Sequence, residues 1–226
     1  MSQPNPLHLY EEIMLLSLRD EKGTVEIACS ELAIAGAVLA ELLMEGLISV
    51  EDTRKRLVDV RDIRPAGDPI VDECLDRMAS GKRRASLQTW VSRLAGIKDL
   101  RHKAAGRLCE RGILSAEKDK VLLVFTRRIY PELDPGPERE IVERVRRALF
   151  TDDPQVDPRT VVLISLAHRV GLLAGPFGRK EIRVREKRIE QLINGELTGQ
   201  ATKEVIAAAQ VAVMVASMAA VIAASS

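Results

Sequence analysis

Leu7, Tyr10, Glu11, Met14, Leu15 and Leu18 keep the three- and four-residue spacing that lines the mainly apolar side of a helix, and the pattern stops near Lys22-Gly23. A second helix is predicted from about Leu32 to Glu45, closed by Gly46, a residue free to take the left-handed conformation that ends a helix. The pattern then changes to two short β-arms, Leu47 to Val50 and Leu57 to Val60, on either side of the charged turn Glu51 to Arg56. This outline recurs. Glu41-Leu-Leu-Met-Glu-Gly-Leu-Ile-Ser-Val-Glu51 is matched in chemical character by Arg107-Leu-Cys-Glu-Arg-Gly-Ile-Leu-Ser-Ala-Glu117. In the second copy a helix from Lys98 to Arg111 ends at Gly112, and arms from Ile113 to Ala116 and from Val121 to Phe125 flank a turn at Glu117 to Lys120.

Between the copies, Arg64 to Pro69 reads as a turn, Ile70 to Ala79 as a helix with Val71, Cys74, Leu75 and Met78 inward, and Ser80 to Arg84 as a basic loop. Ser86 to Ala95 is a further helix, whose Trp90 reads as a core anchor. Tyr130 to Pro137, with three prolines and a glycine, separates an N-terminal part, 7–130, from a C-terminal helical part, 138–226, of one domain spanning 1–226.

Glu138 to Phe150 turns Ile141, Val142, Val145 and Leu149 inward and Arg139, Arg144, Arg146 and Arg147 outward. Asp157-Pro158 caps a helix, and Val161 to Leu173 is apolar nearly all round, as befits a central helix. His168 within it reads as a hydrogen-bonded core histidine. Val205 to Ala224 is long enough to cross a bilayer, but it is alanine-rich and lacks an aromatic belt or basic flank, which points to a helix packed among other helices.

Composition narrows the fold. Hydrophobic residues make up 46% of 226 but aromatics only 3%, so the core is built of Leu, Ile, Val and Ala, which favours packed helices. Helix, glycine and β-ribbon together outline a winged helix, a module that can face nucleic acid, protein or membrane. With 34 basic against 33 acidic residues there is no global field toward DNA, so any anion binding must be local. Three separated cysteines, Cys29, Cys74 and Cys109, read as buried thiols in a reducing compartment, and Met1 to Pro6 has no secretory character. A cytoplasmic protein is expected.

Motifs for catalysis are missing. No C-x-x-C, H-E-x-x-H, phosphate loop or G-x-S-x-G elbow occurs, and Gly175-Pro-Phe-Gly-Arg-Lys180 has the wrong spacing for a phosphate loop and reads as an ordinary loop. His8, His102 and His168 have no metal-ligand spacing, and the acidic residues fall mostly at helix-surface positions. Neither an enzyme nor a cofactor is expected. Basic residues are more informative: Lys98, Arg101, Lys103, Arg107 and Arg111 wind round one predicted helix, with Lys98 and Arg101 three apart on one face. Such a pair suits a phosphate monoester, the alternative being ordinary solvated charge.

Several segments together resemble the Golgi phosphoprotein 3 family. They are Leu7-His-Leu-Tyr-Glu-Glu-Ile-Met-Leu-Leu-Ser-Leu-Arg-Asp20, Leu39 to Ile48, Pro65-Ala-Gly-Asp-Pro-Ile-Val-Asp-Glu73, Gln88-Thr-Trp-Val91, Glu110-Arg-Gly-Ile-Leu114, Asp157-Pro-Arg-Thr160 and Leu166-Ala-His168, in family order. The resemblance runs from about Leu7 to Ala220. It implies a mainly α single globular domain: a central helical bundle, surrounding amphipathic helices, small β-hairpins with winged-helix-like elements, and a buried C-terminal helix. It also implies a cytoplasmic protein peripherally associated with membranes, whose eukaryotic relatives bind phosphatidylinositol 4-phosphate and act as adaptors for the cytosolic tails of membrane proteins.

The family head-group pocket maps onto Lys98 and Arg101, but its other arginine falls on Ala35 and its tryptophan near Glu26 or Ile27, so weakened selectivity is expected. The projecting family hairpin maps onto Lys118 to Ile129, with Val121, Leu122, Leu123, Val124 and Phe125 as an apolar stretch between basic residues. That stretch suits an anionic bilayer, a homo-oligomer contact or a buried strand. The Arg- and Ala-rich composition suggests a bacterial homologue. A winged-helix nucleic-acid-binding or protein-interaction module is the competing reading; the apolar, acidic Ala33 to Glu45 helix argues against nucleic acid for the first copy, while the second copy is more basic.

Overall fold

A computed structural model describes residues 6–18, 23–25, 31–51, 53–121, 125–153, 155–194 and 206, with backbone alone at 120–121 and 125–126. Among these residues the chain forms ten helices and four strands. In chain order they are α1 Leu9–Leu16, α2 Glu31–Met44, β1 Ile48–Val50, β2 Val58–Val60, α3 Pro69–Ala79, α4 Leu87–Ala95, α5 Leu100–Glu110, β3 Glu117–Val121 and β4 Phe125–Ile129. Then come α6 Gly136–Phe150, α7 Pro158–Arg169, α8 Ala174–Phe177, α9 Arg179–Val184 and α10 Glu186–Ile193. The fold is mainly α, as expected. Helix starts follow local chemistry: the Asp68 carboxylate accepts from the Ile70 and Val71 N–H groups at the head of α3, Ser86 accepts from Thr89 in α4, and Asp157 accepts from Thr160 in α7.

The centre is α1 with α2. All eight residues of α1 are buried, as are ten consecutive residues of α2, Ala33 to Leu42. α1 packs on α2 and α5 on one side of the Tyr130 to Pro137 break and on α6 and α7 on the other. Trp90 is buried, as expected, with the Arg93 guanidinium 4.9 Å from its ring centre. Ile206 is 1% exposed and belongs to the same core, while the rest of the predicted Val205 to Ala224 helix lies outside the described residues. No helix among the described residues is long and apolar enough to cross a membrane.

The recurrence in the sequence is a recurrence in structure. Gly46 and Gly112 have φ of +70° and +73°, the left-handed region open to glycine. After each glycine the next N–H reaches back into the helix, Leu47 to the Leu42 carbonyl at 3.0 Å and Ile113 to the Leu108 carbonyl at 2.9 Å. The returning chain then pairs in the same manner. The Leu47 carbonyl accepts from Arg61 and Asp62, and the Ile113 carbonyl accepts from Leu133 and Asp134.

Several expectations are corrected. The second ribbon is not Ile113–Ala116 against Val121–Phe125: β3 pairs β4 antiparallel with Glu117 opposite Ile129 and Val121 opposite Phe125, and the bridge Leu114 to Glu132 extends that ladder toward the core. Lys118-Asp119-Lys120 looked like a turn because it is charged, yet a two-stranded ribbon tolerates polar side chains, and Asp119 pairs across the strands with Arg127 at 2.9 Å. The 118–129 hairpin expected from the family is therefore the one that forms. α7 ends at Arg169, short of Leu173, and the predicted loop at Gly175 to Lys180 holds α8 and the start of α9. His168 is half-buried at the rim, its Nε2 3.2 Å from Glu186, outside the core proper.

Four acidic residues are drawn into the core. Glu11, Glu12, Glu41 and Asp68 are buried, and each is paired with an arginine. Arg159 reaches Glu41 at 2.7 and 3.1 Å, donates to the Leu7 carbonyl at 2.6 Å and lies 3.6 Å from Glu12, which Arg144 approaches at 2.9 Å. Glu41 also accepts the Leu9 N–H at 2.6 Å, satisfying an otherwise unpaired donor in the first turn of α1. Burial alone would raise the Glu41 carboxyl, but the neighbouring His8, 3.8 Å away, and hydrogen bonds from Arg159 and the Leu9 N–H outweigh it and hold the group at about 2.

Glu41→Gln keeps the shape and removes the charge, leaving Arg159 with only the more distant Glu12, which Arg144 shares. Breaking a buried pair in this way should cost about 3–5 kcal/mol, read as a lowered urea midpoint at neutral pH. Because the native carboxyl sits below the ordinary 4.5, its contribution is present above that value and disappears as pH falls toward about 2. The variant should accordingly lose stability less steeply than wild type over that interval, and equal midpoints at neutral pH would remove the network from the account.

Candidate functional site

The cations expected to bind head groups lie at the start of α5. α5 begins at Leu100, preceded by Asp99 in a left-handed conformation with φ +57°. Lys98 therefore stands in the turn before the helix and does not share a helical face with Arg101, contrary to the three-residue spacing argument. Lys98 is exposed, and Arg101 is half-buried with its Nε 3.9 Å from Glu31.

What lies beside Arg101 was not legible from its own segment. The Tyr130 hydroxyl is 2.7 Å from His102 Nδ1, and Arg128 of β4 comes close to both. Burial first, then the nearby Arg128 and Arg101 cations, lower the His102 ring below its ordinary value, so it is neutral at physiological pH. Burial raises the Tyr130 phenol while Arg128 and Arg101 oppose that rise. Two guanidinium groups from separate segments thus converge on a tyrosine–histidine pair, and Lys98 stands at the adjoining turn. The acidic groups facing His102 are Asp99 and Glu31.

The remaining basic residues of this helix do not add to that patch. Lys103 is held by Glu73 at 2.7 Å, Arg107 by Asp68 at 3.2 Å and by Glu110, and Arg111 by Glu11 at 2.9 Å. Asp68 in turn accepts from the Tyr10 hydroxyl at 2.8 Å. These are structural cations, sewing α5 to α1 and α3.

The hairpin stands on this base. β3 and β4 pack chiefly on one another, while Ile129 and Tyr130 are buried where the ribbon meets the core. The Tyr130 N–H donates to the Gly23 carbonyl at 2.9 Å, and the Tyr130 carbonyl lies so close to Gly23 that any Cβ there would overlap it. Lys118, Arg127 and Arg128 are exposed. Of the apolar stretch, Leu122, Leu123 and Val124 lie outside the described residues, and the side chains of Val121 and Phe125 do as well.

Ala35, where the family places an arginine, is fully buried inside α2, so α2 offers no cationic donor there. The tryptophan position, at Glu26 or Ile27, lies outside the described residues, as does Cys29. Burial pushes the Cys74 thiol up to about 12, so it is an inert core group.

Among the described residues one set has metal-ligand proximity: His8, Glu41 and Glu45 have ligand atoms within 4.8 Å of one another. Its central carboxylate already accepts from Arg159 and the Leu9 N–H, and the guanidinium opposes a second cation. The set therefore works as part of the arginine network.

Arg107→Ala and Lys98→Ala should separate structural from available charge. The first leaves Asp68 with one charged donor fewer and should lower stability by about 1.5–3 kcal/mol. Lys98→Ala should leave the thermal midpoint unchanged. A fall of equal size in both variants would show that Lys98 has an internal role.

A comparison with known families covers most of the chain. The family model described as Golgi phosphoprotein 3 (GPP34) matches residues 9–209, from the first turn of the buried α1 past the buried Ile206. The chain belongs to the Golgi phosphoprotein 3 (GPP34) family.

Proposed function

We propose that this protein is a non-enzymatic, cytoplasmic, peripheral membrane protein that binds anionic phospholipid head groups through Lys98, Arg101 and Arg128, with the β3–β4 hairpin meeting the bilayer. The observation that carries the reading is the convergence of Arg101 and Arg128 beside Tyr130 and His102, at the foot of a ribbon whose tip sequence is apolar. Arginines offer a planar fork to phosphate, and apolar residues with a basic rim suit an anionic interface. Family membership supports the further step to an adaptor for the cytosolic tails of membrane proteins.

Selectivity for phosphatidylinositol 4-phosphate should be weak. The buried Ala35 supplies no charged donor, and each missing charged hydrogen bond forfeits about 1.5–3 kcal/mol. Binding then rests on exposed charge and weakens as salt rises. The nucleic-acid reading is disfavoured because α2 is buried and Lys103, Arg107 and Arg111 are paired internally. A mobility-shift assay at physiological salt should give no complex.

Flotation with vesicles of matched charge is the direct test. Phosphatidylserine and phosphatidylinositol 4-phosphate vesicles should both recruit the protein, to similar extents, and recruitment should fall with salt. Strong preference for the phosphoinositide would overturn the account of the pocket. Replacing Leu123 and Phe125 together by Asp should reduce recruitment or self-association, removing about 1.5–3 kcal/mol of burial per side chain, while the helical signal persists. Unchanged recruitment and assembly would take the hairpin out of the mechanism, and loss of the fold would assign these residues to the core.

A further inference from the structure

A second basic site lies away from α5. A cleft of about 290 Å³ is lined by Leu149, Thr151, Asp152, Val184, Arg185, Lys187, Arg188 and Gln191. It is formed where α6 ends against the α9–α10 corner. Its size is at the lower end of the roughly 300–1,000 Å³ of small-molecule sites.

The charges here are arranged unlike those of α5. Arg188 donates to the Ala148 carbonyl at 3.2 Å and to the Asp153 carbonyl at 2.6 Å, contacts that fix its position without cancelling its charge. Arg185 lies 5.0 Å from the Phe150 ring centre, and its Nε is buried with no hydrogen-bond partner. Lys187 is exposed. Among the described residues none of the three has a carboxylate partner. Asp152 is the single acidic side chain in the lining, and the carbonyl end of α6 adds a partial negative charge, so the cations prevail.

Leu149 and Val184 give the cleft an apolar wall, with Val184 68% exposed. Preset cations beside a small apolar wall fit an anion carried on a short carbon skeleton. Guanidinium forks favour the tetrahedral oxygens of phosphate.

We propose that this cleft binds a phosphate monoester of a small polyol, held by Arg185, Lys187 and Arg188, with its carbon skeleton on Leu149 and Val184. The same chemistry occurs in a free phosphate ester and in a lipid head group. This site is separate from Lys98 and Arg101 and does not depend on their function.

Calorimetric titration of the full chain with glycerol 3-phosphate, alongside flotation with phosphatidylcholine vesicles containing phosphatidic acid, tests the proposal. Lys187→Glu should weaken binding about tenfold, the effect of losing one charge-assisted contact. Asp152→Asn should strengthen it, a gain that misfolding cannot imitate. Both side chains are exposed, so both variants should keep the wild-type thermal midpoint. Lys98→Ala should leave glycerol 3-phosphate binding unaltered. A response of the soluble compound to the two cleft substitutions assigns the site to a free phosphate ester, and a response confined to vesicles assigns it to a lipid head group. Absence of binding in both arms, or binding indifferent to both substitutions, overturns the proposal.

Discussion

One guanidinium joins the two sides of this molecule. Arg159 extends from the first turn of α7 to the carboxylate of Glu41 in α2, to the backbone of Leu7 ahead of α1, and toward Glu12 within α1. An ion pair taken out of water gives back in attraction roughly what it loses in hydration, so its value lies less in net stability than in specifying an arrangement. α1 is buried on every side and could slide or rotate among apolar neighbours at little cost. The charges at Glu11 and Glu12, and the Leu9 N–H held by Glu41, favour one position, because another would bury the two carboxylates away from Arg111, Arg144 and Arg159.

That arrangement fixes what remains available at the surface. Arg107 and Arg111 tie α5 to Asp68 and Glu11, so α5 is anchored by its C-terminal half and presents its N-terminal turn outward. Cations that look alike along one helix thus divide into those held by buried or neighbouring carboxylates and those, such as Lys98, that face solvent. The same division separates the cleft beside α10, where arginines are held by carbonyls and a ring, from the paired surface of α5.

The sequence made much of the fold legible, for local reasons. Gly46 and Gly112 mark helix ends because φ near +70° is open to glycine, and Asp157-Pro158 marks a start because both residues act within one turn. Core positions such as Val71, Cys74, Leu75 and Met78 were readable from spacing. Buried charge was not. Glu11 sits on the stripe that the spacing marks, but Glu12 lies off it, and only packing from both sides of the chain closes over Glu12. The charged run at Lys118 to Lys120 misled for the opposite reason: in a ribbon surrounded by solvent, polarity marks neither strand nor turn. Arg128 near Arg101 depends on where the base of the hairpin, at Ile129 and Tyr130, meets the core, a relation that no spacing within either segment contains.

The ladder from Leu114 opposite Glu132 out to Val121 opposite Phe125 has one unbroken register. Side chains alternate between its two faces, so every position on the ribbon is set by counting outward from the anchored base at Ile129 and Tyr130. Lengthening both arms by two residues each would move the apolar tip farther from Arg101 while leaving each basic side chain on its face. A single residue added to one arm would instead turn that arm over beyond the insertion. The distance from the anchored base to the far end of the ribbon at Val121 and Phe125 is therefore a ruler read in even steps.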